Sequence, residues 1–370
     1  MTVEELRNRH VQLLRDRRGG GPPHPPARPP PPPPAHPADT AARYHTWHQV
    51  AAEPRSALLA RLVDVRVRPA AYRPAHLREQ QRTLDALQPE VLHLARAAGW
   101  DTTTPVLAGV FPTGTLDALS VPVPGRGVLV LVNTALLDLL GTVLKIMTGA
   151  LPNYGTPPLL TSEQASYALA EAVNAYLYGN GAVEARRLPE LSGQRAALVS
   201  LMARRGTQFV LAHEVGHLLA GHLLHARRRT DHHTPVGALD AQSVGWPREH
   251  EADRVAAVIM LRTLDDLGHR ELEAHEPCLV GAVLLVLFLH EVTDRLADEL
   301  GLTVPFAGNH PPPVRRIQTL VEHLAGHVRT PRALDLAADV ATWLEGQLGG
   351  VREWFRLVDD SLLGGPTSGG

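Results

Sequence analysis

FVLAHEVGHLLAGHLL, from Phe209 to Leu224, is the stretch from which the fold and chemistry of this chain are read. Nearly every position other than His213, Glu214, His217 and His222 is apolar or small, which predicts a buried helix. At about 100° per residue, positions i and i+4 differ by only about 40°, so the imidazoles of His213 and His217 leave one face and can share one ion. Glu214, beside His213, is placed to act as base toward a water at that ion. Zinc takes neutral imidazole nitrogens at about 2.1 Å, and a catalytic zinc keeps one position for water. A buried helix carries two histidines and a glutamate only where they satisfy one another or an ion. With 20 histidines in 370 positions, a chance HExxH is expected at roughly 0.05 per chain, so residues elsewhere must decide between a metal site and a metal-free core cluster.

The third ligand defines the class. An HExxHxxGxxH extension would need glycine and histidine where this chain has Ala220 and Leu223, so that extension is absent. Instead, 32 residues beyond His217, the chain reads REHEADRVAAVIML from Arg248 to Leu261. Glu249 and Asp253 lie four apart on this second predicted helix. Glu249 can supply a carboxylate ligand while Asp253, one turn on, accepts the outer N–H of a liganding histidine. Glu251 is the rival ligand, but it points about 160° away from Asp253 on the helical wheel. A third segment, NHPPPVRRI from Asn309 to Ile317, holds His310 ahead of prolines at a helix start, where it can hydrogen-bond an oxyanion or serve as a helix cap. His222, five residues past His217 and about 140° off the metal face, reads as a non-ligand, as do His225, His232 and His233.

Upstream, PVLAGVF, ALSVPVP and GVLVLVN between Pro105 and Asn133 are short valine-rich runs separated by turn residues, which predict a small sheet. The rest is helical in pattern, with loops expected at 151–158, 230–247 and 307–313. The expected organisation is an N-terminal helix over 1–20, a Pro-rich linker over 21–38, a helical lead-in over 39–103, a catalytic domain over 104–327, C-terminal helices over 328–363 and a flexible tail over 364–370. A helical segment over about 152–205 precedes the HExxH helix and is expected to shape the cleft or act as a lid. The Pro-rich stretch cannot be helix or sheet interior, because each proline lacks an amide donor; it reads as a polyproline II spacer that could also recruit a partner.

The charge balance, 36 Lys+Arg against 38 Asp+Glu, leaves no global field for nucleic acid. The single cysteine, Cys278, excludes an intrachain disulfide and reads as a small buried hydrophobe. The run LVGAVLLVLFL from Leu279 to Leu289 has 11 residues, where a membrane span needs about 20, so it reads as a core helix and no transmembrane segment is expected. The charged N-terminal stretch lacks the apolar core of a secretory signal. A soluble, cytoplasmic protein is expected.

HEVGH, EHEAD and HPPPVRRI together resemble the three signatures of the gluzincin metallopeptidases, in particular the M48-like group of the CAAX prenyl protease and HtpX type; ImmA/IrrE-type and phage-exclusion-type peptidases are related possibilities. The resemblance covers roughly Leu107 to Leu324. It implies a mainly α, α+β zincin-like domain with a small β-sheet before the HExxH helix. It implies zinc on His213, His217 and Glu249, Glu214 as general base, Asp253 behind a ligand and His310 as oxyanion donor. GVLVLVNTALLDLL resembles the edge strand and helix that precede the active-site helix in that group, so the strand near Val128 to Val132 is expected to bind substrate backbone. The expected activity is zinc-dependent hydrolysis of a peptide or protein substrate. The alternatives are a regulator cleaving one specific partner and a non-proteolytic, zinc-stapled binding module with a Pro-rich arm.

Overall fold

The computed structural model describes residues 74–111, 116–123, 127–152, 157–178, 188–223, 235–300 and 311–363. It is mainly helical with one three-stranded sheet, as the patterns predict. In chain order the elements are α1 (Pro74–Ala97), β1 (Val106–Phe111), β2 (Ala118–Val123), β3 (Gly127–Asn133), α2 (Thr134–Ala150), α3 (Ser162–Tyr178), α4 (Gly193–Leu219), α5 (Pro235–Leu261), a 3₁₀ turn (Arg262–Leu264), α6 (His269–Glu299), α7 (Pro313–Ala325) and α8 (Asp335–Leu363). The N-terminal helix, the Pro-rich arm, the lead-in as far as residue 73, His225, His232, His233, His310 and the tail lie outside the described residues.

Helix α4 is the centre of the molecule: α1, α2, α5, α6 and the sheet all pack on it. Its HEVGH end is buried from Phe209 to Gly216 because the sequence offers apolar or small residues on every side there. One hydrophobic cluster runs from Leu84, Leu87 and Val91 of α1 through the sheet and α4 to Leu344, Leu348 and Trp354 of α8. The lead-in helix and the C-terminal helices therefore belong to the same core as the residues between them.

The sheet order is β1-β3-β2, with β3 parallel to β1 and antiparallel to β2. Strand β3 is apolar without alternation and buried from Val128 to Asn133, the pattern of a strand covered on both faces. This corrects the expectation that Val128 to Val132 form a substrate-binding edge: those residues are the paired centre of the sheet, and β2 is the edge beside α4. The N–H of Asn133 donates to the Asp117 carbonyl at 3.1 Å, which sets the alternation along β2. Positions 118, 120 and 122 then turn their backbone groups away from β3, so Pro122, with no N–H to give, falls where no ladder bond is lost. The start of β2 is held from behind, where Leu116 donates its N–H to the Tyr176 hydroxyl of α3 and its carbonyl faces His290 of α6.

Three further expectations change. The loop drawn over 230–247 is helical from Pro235 onward, Pro247 being accommodated within α5. Where it is described, the segment at 152–205 is part of the core: α3 is wedged among α2, α8 and α6, with Ala165, Leu169, Ala170 and Val173 buried, and residues 193–205 are the first half of α4 itself. Cys278 is half-buried against the core, and burial raises its thiol pKa. The Leu279–Leu289 run lies in α6, the one helix among the described residues long and apolar enough to cross a membrane; 61% of its apolar window is buried inside the protein.

Candidate metal centre

The last turns of α4 lie against the middle of α5 at a close crossing that Gly216 permits. A Cβ at that position would meet the Ala252 carbonyl oxygen at 3.0 Å and the Ala252 Cα at 3.3 Å. The glycine of HEVGH therefore sets how near the two histidines come to the carboxylates of α5. His213, His217 and Glu249 form the one cluster among the described residues whose ligand atoms converge closely enough for a metal ion. The Nε2 atoms of His213 and His217 are 3.2 Å apart, Glu249 Oε2 is 3.4 Å from His213 Nε2, and Glu249 Oε1 is 3.4 Å from His217 Nε2. Ligand atoms at about 2.0–2.1 Å from a tetrahedral ion are separated by about 3.3 Å; each separation here is of that size, with the two Glu249 oxygens divided between the two rings.

The outward nitrogens are anchored differently. His213 Nδ1 lies 2.9 Å from Asp253 Oδ1, and Asp253 in turn accepts a fork from Arg316, Nε to Oδ2 at 2.9 Å and Nη2 to Oδ1 at 2.7 Å. All three side chains are buried. Burial opposes ionisation of Asp253, but the Arg316 charge and fork outweigh it and hold the carboxyl well below its usual range; the same pair holds Arg316 firmly protonated. His217 Nδ1 meets His222 Nδ1 at 3.0 Å, and His222 Nε2 meets Glu251 Oε2 at 3.1 Å.

The Nε2 atoms of His213 and His217 and the Glu249 carboxylate thus converge where the chain could hold a metal ion. Burial alone would lower the pKa of His213, but Asp253, with Glu249, raises it to about 10. A metal ion bound there would displace that proton. Glu214 is buried within electrostatic reach of both rings, and burial raises its carboxyl against the pull of His213 and His217. The Ser120 hydroxyl donates to the Glu214 backbone carbonyl at 2.9 Å, pinning the edge strand β2 beside it.

The structure thus brings together His213, Glu214, His217, Glu249 and Asp253. His310 lies outside the described residues, while Pro311 of the same segment is buried and Arg316 closes on Asp253. Spacing alone overlooks two features. Arg316 was legible only as a member of HPPPVRRI, with no partner assigned. His222 stands outside the cluster of possible ligands, yet it does not point away from the metal face as a continuous helix would have it. Helix α4 ends at Leu219, and Gly221 adopts φ +73°, a left-handed conformation that glycine takes without strain. This turns His222 back against His217. The signal in the sequence was Gly221 itself, a helix-ending residue immediately before a histidine.

Comparison of the chain with protein-family models, curated proteins and solved structures finds no significant match. The site alone carries the functional argument.

Proposed function

We propose that the chain is a zinc-dependent metalloendopeptidase, with His213, His217 and Glu249 holding the metal and Glu214 as general base. The observation that carries this reading is the convergence of two imidazole nitrogens and a carboxylate, with a buried glutamate beside them. Two nitrogens and one oxygen suit zinc better than a harder cation such as magnesium or calcium, which prefers oxygen ligands throughout. When bound, zinc supplies Lewis acidity toward the scissile carbonyl and toward an attacking water.

Glu214 takes the proton from that water and returns it to the leaving amine; a raised carboxyl pKa suits both transfers. The neighbouring edge of β2 supports an extended substrate through the outward backbone groups of Ser120 next to Glu214, while the outward N–H of Ala118 is taken by the Asp117 carboxylate at 2.9 Å. His310 is the proposed oxyanion donor. Its segment supports that role by returning to the back of the site, where Arg316 is fixed on Asp253.

Incubating the full chain with one equivalent of zinc and an unstructured protein substrate tests the proposal. Hydrolysis is expected, and Glu214→Gln retains zinc but cuts the rate by about 10²–10⁴-fold. Unaltered cleavage by the variant removes Glu214 as the base. Zinc uptake without cleavage of any protein, peptide library or lysate favours the binding-module alternative, and cleavage confined to one protein favours the regulator.

A further inference from the structure

Two ring nitrogens 3.0 Å apart, His217 Nδ1 and His222 Nδ1, share at most one hydrogen between them. Which ring carries it is decided at the far end of His222, where Nε2 meets the Glu251 carboxylate at 3.1 Å. A carboxylate only accepts, so the hydrogen of His222 sits on Nε2 and its Nδ1 is a lone pair. The hydrogen between the rings then belongs to His217 Nδ1, and His217 Nε2 is left as a lone pair facing His213 and Glu249. The ring centroids of His217 and His222 are 5.2 Å apart and tilted by 65°, so the contact runs through the nitrogens and not through stacked faces. His222 is buried, whereas the Glu251 side chain is 52% exposed, so the chain of contacts runs from the centre of the site to solvent.

We propose that His222 and Glu251 are positioning residues of the metal centre: they set the tautomer and tilt of His217, so that its Nε2 is presented as a ligand, through the chain Glu251–His222–His217. This inference rests on the reading of His213, His217 and Glu249 as metal ligands. It gives the two liganding histidines unlike supports. His213 is held by a buried carboxylate locked to Arg316, and His217 is held by a neutral imidazole backed by a surface carboxylate.

The test is metal affinity of the full-length, chelator-stripped protein, read by competition for zinc with a chromophoric chelator, with the visible spectrum of the cobalt-loaded protein reporting ligand geometry. His222→Leu is expected to weaken zinc binding about 10–100-fold and to alter the cobalt bands. His222→Gln, whose amide oxygen accepts from His217 and whose NH₂ donates to Glu251, is expected to recover most of that loss. Glu251→Ala, on the surface, weakens binding in the same direction. Circular dichroism of the metal-free variants checks that each is folded; should His222→Leu not fold, Glu251→Ala decides by itself. Wild-type affinity in His222→Leu or in Glu251→Ala overturns the inference, and so does equal affinity of the Leu and Gln variants. A wild-type chain that takes up no zinc instead removes the metal reading on which it rests.

Discussion

Asp253 is the residue on which the back of the site turns, since it lies 2.9 Å from His213 Nδ1 and accepts both ends of the Arg316 fork while buried. Removing Arg316 would leave that carboxylate buried without its counter-charge. Arg316→Leu is therefore expected to destabilise the fold by about 3–5 kcal/mol, measured by urea unfolding at neutral pH. Arg316→Lys keeps the charge but not the planar fork, and falls between the variant and wild type. At this scale much was legible: His213 and His217 follow from helical periodicity, and Glu249 and Asp253 from the same periodicity on a second helix. What was not legible is whom a residue meets across elements. Arg316 lies 63 positions from Asp253, and no local pattern couples them.

Two elements carry predictions of their own. The crossing of α4 and α5 depends on Gly216, where alanine gains about 1 kcal/mol of helix propensity but forces the Ala252 backbone away at an overpacking cost of about 1–3 kcal/mol. Gly216→Ala is expected to lose stability on balance, and to weaken zinc binding because the carboxylates of α5 retreat with their backbone; thermal unfolding and chelator competition report the two effects. A polar contact ties α1 to α2 at His76, whose Nε2 lies 2.8 Å from Asp138 Oδ1. The Asp138 hydrogen bond, against burial, raises His76 above 6.5, and burial raises Asp138 despite His76, Gln80 and Lys145. Both shifts favour the protonated folded form. The His76 contribution is complete below about 6.5 and is lost as pH rises through its raised value. Because His76 is 41% exposed, the effect should be under about 1 kcal/mol. Unfolding free energies at pH 6 and 8.5 should show a larger fall in wild type than in Asp138→Asn. Element by element, the sheet and the HEVGH helix were predicted, but the rank of the strands was not. An unbroken apolar run marks β3 as buried without saying which neighbour lies on either side.

At the scale of the whole molecule, one core joins α1, the sheet, α4, α6 and α8, so a ligand of the centre should stabilise all of it together. Free zinc at 100 times its dissociation constant is expected to add about 2.7 kcal/mol, seen as a rise in the midpoint of a single thermal transition and reversed by a chelator. A midpoint indifferent to both additions would count against a metal on the folded state. The sequence by itself determined the candidate site: that His213 and His217 share a helix face with Glu214 beside them follows from the 3.6-residue turn, a property of the backbone that holds wherever the helix lies. The tertiary structure alone decided that β2 is the edge strand beside Glu214, that Arg316 closes on Asp253, and that Gly221 folds His222 under His217. Those pairings depend on how closely two helices approach and where one of them stops. Both are set by contacts between segments far apart in the chain, which no periodicity within either segment records.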